Sequence, residues 1–87
     1  MHRLSIGQRE ILGWLARGGI VERWRCRDGT RRWHAGEGEV DGRCVRGLRY
    51  RGLVEIDTGG ACPLLILTDA GRAALGAMST AGEEERR

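Results

Sequence analysis

Eighty-seven residues with a formal charge of +3 make one domain, and chains of this size bury only about 60–65% of their unfolded surface, so the core must be modest. No apolar run approaches the ~20 residues needed to span a bilayer, and the opening Met1-His2-Arg3-Leu4-Ser5 has no h-region of a signal peptide. A cytoplasmic location without membrane contact is therefore expected.

The first predicted element is a helix over residues 6–17. Ser5 and Gln8 have capping-box spacing, and Gln8, Ile11, Leu12 and Leu15 form a stripe at helical period, with Trp14 off its centre. Arg17-Gly18-Gly19 ends it. The period then changes from about 3.6 to 2. Arg23-Trp24-Arg25-Cys26-Arg27 alternates as a strand does, and Asp28-Gly29 signals a hairpin with a two-residue type I′ turn. That turn opposes Arg25 to Arg32 and Trp24 to Trp33. It gathers Trp24, Cys26 and Trp33 on a core-facing side and Arg23, Arg25, Arg27, Arg32 and His34 on the other. Opposed arginines repel, so this second face wants solvent or anions.

Residues 35–39 read as a loop. A short helix follows from Asp41 to Arg51, with Asp41 as its N-cap and Gly52 as the left-handed residue that stops it. Cys44, Val45 and Leu48 share one face of it; Arg43, Arg46 and Tyr50 share another. Gly42 and Gly47 inside it each cost about 1 kcal/mol relative to Ala but allow another backbone to come close. Residues 53–57 and 63–67 are predicted strands joined by Thr58-Gly59-Gly60-Ala61, with Pro63 starting the second. Thr68 caps a last helix to about Met78. Residues 1–78 form the expected domain, with Leu12, Leu15, Val45, Leu48, Leu53, Ile66 and Leu75 in one core, and the polar residues 79–87 form a disordered tail.

From residue 23 to 51 nine arginines stand against four acids, so the middle of the chain is strongly basic and favours an anionic partner. All fifteen basic residues are Arg; the absence of Lys, Asn and Phe beside fifteen Gly is also what a GC-rich genome produces. Cys26, Cys44 and Cys62 are odd in number and are expected to be free thiols. Together with His34 their spacings match no compact zinc module. No phosphate loop, HExxH or nucleophile–base spacing appears, so no cofactor and no catalytic residue is expected, and the chain reads as a non-enzyme.

Three segments carry a resemblance. Arg49-Tyr50-Arg51-Gly52-Leu53-Val54 resembles the end of the recognition helix in MarR-like winged-helix proteins, and Leu65-Ile66-Leu67-Thr68-Asp69-Ala70-Gly71-Arg72-Ala73-Ala74-Leu75 resembles the exit of their wing. Gln8 to Leu15 resembles their first core helix. The resemblance implies a small α+β winged-helix-like domain in the order helix-hairpin-helix-strand-strand-helix. It also implies a DNA-binding function, in a transcriptional regulator of bacterial or phage origin. Two departures stand out. A hairpin occupies the interval where a winged helix has its second helix, and the wing tip carries no cation. The opening Leu-Ser…Gln…Leu-Ala-x-Gly-Gly followed by an Asp-Gly hairpin is also similar to small YjhX-type toxin-family proteins.

Two partners are thus expected in the alternative. The first is double-stranded DNA, with Arg43, Arg46 and Tyr50 at the major groove, Arg23, Arg25 and Arg32 on phosphates, Arg49 also on the binding surface, and a homodimer lengthening the site. The second is an acidic protein surface, contacted by the same arginines in a toxin or an anti-CRISPR-like inhibitor of a nucleic-acid machine.

Overall fold

Ser5 Oγ accepts the Gln8 amide at 3.1 Å while Gln8 Oε1 accepts the Ser5 amide at 3.0 Å, a reciprocal box that starts α1 (Ile6–Ala16). Arg17 closes that helix, and Gly18, at φ +84°, donates to Leu15 while Gly19 donates to Trp14. The computed structural model describes residues 3–36 and 38–85. His2, which lacked a catalytic partner in the sequence, Glu37 of the expected 35–39 loop and the end of the expected tail lie outside the described residues.

After α1 come β1 (Val21–Arg25), β2 (Arg31–Ala35), β3 (Gly38–Val40), α2 (Gly42–Tyr50), β4 (Val54–Asp57), β5 (Leu64–Leu67) and α3 (Asp69–Glu85). The chain is a small α+β domain with one five-stranded antiparallel sheet in the order β3-β2-β1-β5-β4. Strand β3 lies where a loop was expected. Its three residues pair with β2 from Trp33↔Val40 to Ala35↔Gly38, with Gly36 turning the chain at φ +60°. Helix α3 runs past Met78, where the sequence pattern ended it.

The hairpin register differs from the expected one by a residue. Gly29 N donates to Cys26 O at 3.0 Å and Cys26 N to Thr30 O at 2.7 Å, so the loop has three residues, Arg27, Asp28 and Gly29, the last at φ +86°. This is a type I turn followed by a left-handed bulge residue, the next most common hairpin after the two-residue turn. Asp28 selects it: Oδ1 accepts both the Thr30 amide at 2.9 Å and the Thr30 hydroxyl at 2.6 Å. The pairs become Arg25↔Arg31, Trp24↔Arg32 and Arg23↔Trp33. A one-residue slip moves a whole strand to the other face, so Trp24 and Trp33 do not meet across the strands. Trp33 is buried, and Trp24 stands on the open side at 49% exposure.

The core lies between one face of the sheet and the helices. Ile11 and Leu12 of α1, Val45 and Leu48 of α2, and Val21, Trp33, Val54, Leu65 and Leu67 of the sheet are buried. Leu15, Leu53 and Leu75 are half-buried against them. Ile66 does not join: the pairing Glu55↔Ile66 turns it outward, and its neighbours Leu65 and Leu67 take the core positions. Among the described residues no helix is long and apolar enough to cross a membrane.

Candidate nucleic-acid interface

Helix α2 is anchored on one side and bare on the other. Asp41 caps it, accepting the Arg43 amide at 2.9 Å. Its far end is a full Schellman closure: Gly52 at φ +74° donates to Arg49 and Leu53 to Leu48. Val45 and Leu48 are fully inside the core and Cys44 is half-buried, as the period required. At Gly47 the fold itself comes close: a methyl there would lie 2.5 Å from Gln8 Nε2 of the capping box. Gly42 has open space around it.

The other side of α2 carries Arg43, Arg46 and Tyr50, which line one shallow depression with Gly47. Arg43 touches Asp41 through a loose contact of 3.6 Å at 87% side-chain exposure, an ion pair too solvated to hold the guanidinium. Arg46, Arg49 and Tyr50 make no ion pair or side-chain hydrogen bond among the described residues. Tyr50 is 93% exposed. A tyrosine standing clear of the protein forgoes the apolar burial that ordinarily holds an aromatic ring.

The hairpin arginines divide between the two faces of the sheet. Arg32 points to the open face, where Nη2 binds Asp28 at 3.2 Å, Nη1 binds Glu39 at 3.3 Å and Nε donates to Thr30. Glu39 and then Asp28 raise its affinity for its proton, and the Thr30 hydrogen bonds, with Arg32 behind them, hold the Asp28 carboxyl below the usual carboxylate range. Arg32 thus shares two exposed carboxylates on the open face, away from Arg23 and Arg25. Arg23 and Arg25 point to the helix side. Arg23 lies over the Trp33 ring at 5.3 Å, and its Nε is buried without an acceptor. Arg25 is exposed and faces Arg31, a residue the two-residue turn had assigned to the other face.

The same register brings Cys26 and His34 together on the open face, Sγ to Nε2 at 3.9 Å, with Trp24 edge-on to the imidazole at 4.6 Å. Motif spacing could not reveal this pair, because only the fold brings its two residues together. No carboxylate is hydrogen-bonded to the imidazole among the described residues. All three thiols are free, and no group of three or more metal-binding side chains occurs among the described residues.

Between α1 and the β3–α2 segment a groove of about 730 Å³ is lined by Ile11, Val40 and Cys44 together with Arg9 and Arg17 and with Glu10, Glu39 and Asp41, so it carries no basic character. Comparison with family models, with characterised proteins and with solved structures gave no match to this chain.

Proposed function

We propose that the domain binds double-stranded DNA with α2 as a recognition helix of winged-helix type, as a small cytoplasmic transcriptional regulator of bacterial or phage origin. The observation that carries this reading is the two-sided build of α2. Val45 and Leu48 fix its orientation, while Arg43, Arg46 and Tyr50 stand exposed along one line. Nine residues make a rod about 14 Å long, and the major groove is about 12 Å wide, with the O6 and N7 acceptors of guanine suited to an arginine fork. The β4–β5 hairpin follows α2 in the position of a wing, and β2 and β3 fill the interval where a winged helix has its second helix. No catalytic group, metal or cofactor enters the reading.

A second reading keeps the same surface for an acidic protein partner, in a toxin or an inhibitor of a nucleic-acid machine. It is favoured by the wing tip Thr58-Gly59-Gly60-Ala61, which holds no cation for a phosphate. Fluorescence anisotropy with random duplex, titrated with salt, separates the two. DNA binding predicts affinity that falls linearly with log salt. On a selected site Arg46→Ala loses about 1–3 kcal/mol and relaxes the preference at one position. Absence of salt-dependent affinity at low ionic strength would leave the acidic-protein reading.

A further inference from the structure

We infer that the helix-side face of the β1–β2 hairpin is a phosphate clamp, in which Arg23, Arg25 and Arg31 grip successive phosphodiesters of one nucleic-acid strand. The identity of the strand rests on the duplex reading above; the anion site does not.

The register is the first support. Cys26 and Thr30 form a hydrogen-bonded pair, so the next pair, Arg25↔Arg31, is of the non-hydrogen-bonded kind, whose side chains lie closest. Like charges directly opposite one another destabilise a sheet. Neither Arg25 nor Arg31 makes an ion pair among the described residues. Asp28 and Glu39 are engaged with Arg32 on the open face, and Glu22, paired with His34, points the same way as Arg32.

The second support is how Arg23 is held. Its guanidinium is laid over Trp33 and its Nε has no acceptor, so stacking and not a counter-ion fixes it. Arg23 and Arg25 are one full pleat apart, about 6.6 Å along the strand, comparable to the through-space separation of neighbouring phosphates on one nucleic-acid strand, which exceeds the axial rise of about 3.4 Å per phosphate because the backbone winds around the axis. Arg25 and Arg31 are exposed at the turn ends of β1 and β2, while Val21 and Trp33 on the same side are buried, so the arginine pair stands clear of the core, where a polymer can pass. Guanidinium forks match phosphate oxygens two by two.

The test uses the full chain, Arg25→Gln/Arg31→Gln and Arg46→Gln, with circular dichroism confirming that each folds. Pyrophosphate should raise the melting temperature of the wild type above sodium chloride at equal ionic strength, and the hairpin double variant should lose this increment. With duplex DNA the double variant should lower the salt slope by about two on every sequence, while Arg46→Gln changes sequence preference. If pyrophosphate acts no better than chloride, or the double variant keeps the full slope, the clamp is wrong. If polyglutamate stabilises the wild type and pyrophosphate does not, the face is built for an acidic protein and the clamp is again wrong. If the pyrophosphate increment appears and vanishes as expected while duplex DNA is not bound, the clamp stands and the DNA reading falls.

Discussion

Gly71 decides how α3 meets the rest of the molecule. It is buried, and a methyl there would run into the Leu53 carbonyl oxygen and sit 2.6 Å from Leu67 Cδ1. The approach is close because Thr68 ties two elements at once. Its hydroxyl donates to Gly52 O at 2.7 Å and accepts the Gly71 amide at 3.0 Å, and its own amide reaches Leu53 O at 3.1 Å. Gly71→Ala should therefore lower stability by about 1–3 kcal/mol, as overpacking does. Gly13→Ala, in mid-helix with open space around it, should gain up to about 1 kcal/mol; urea denaturation of both reads the opposite signs. The Thr68 cap was legible from Leu-Thr-Asp at the end of an apolar run. The contact that forces glycine at position 71 was not, because it joins segments that only the fold brings together. Asp28 makes a second prediction at this scale. Its carboxyl is held below the usual range chiefly by Thr30. A lowered folded value means its contribution is complete above the ordinary carboxylate pKa near 3.9 and is lost only as pH falls through the folded value. The Thr30 amide resonance should titrate below that ordinary value, and Asp28→Asn, which keeps an acceptor oxygen, should remove the titration but keep the turn.

Among the elements, α1 and α2 were the most legible. Both helices have a side-chain cap at one end and a glycine closure at the other, and these are local chemistry. The β1–β2 hairpin was legible as a hairpin but not in its register, because Asp-Gly serves both a two-residue and a three-residue loop. What decides is Asp28 folding back on Thr30. The same residue count put Arg31 beside Arg25 on the helix side and Arg32 on the open face. Strand β3 escaped because three residues of Gly-Glu-Val type carry no period. Its pairing rests on β2 being there already. The register makes its own prediction. With Arg25 opposite Arg31 and no acid beside them, Arg25→Gln should raise thermal stability at low ionic strength, and the gain should shrink as salt screens the repulsion. Arg32→Gln should do the reverse, because it strips Asp28 and Glu39 of their partner. If both variants melt alike at low salt, the assigned faces are wrong.

At the scale of the whole molecule the two faces of the sheet have different chemistry. The helix side of the hairpin carries Arg23, Arg25 and Arg31, and α2 adds Arg43, Arg46 and Arg49. The open face carries Glu22, Glu39, Glu55 and Asp57 around Trp24 and Ile66, with Arg32 and His34. A basic middle was visible in the sequence, but its division between two sides depends on pairing and was not. If the basic side meets a duplex as a winged helix does, the β4–β5 tip lies along the backbone, and it does so without a charge. Gly60 offers a direct test. Its backbone is not left-handed, and the nearest atom to an added methyl, Cys62 O, is 4.0 Å away, so a side chain fits. Gly60→Lys should then gain one phosphate contact, tightening binding to every duplex alike and steepening the salt slope by about one. Gly59 is the poorer position, since a methyl there would lie 3.2 Å from Asp57 Oδ1, the acceptor of its own amide. An unchanged slope in Gly60→Lys beside a clear loss in Arg46→Ala would mean that α2 contacts DNA while the wing stays off it, and the docking would have to be redrawn around α2 and the arginine hairpin.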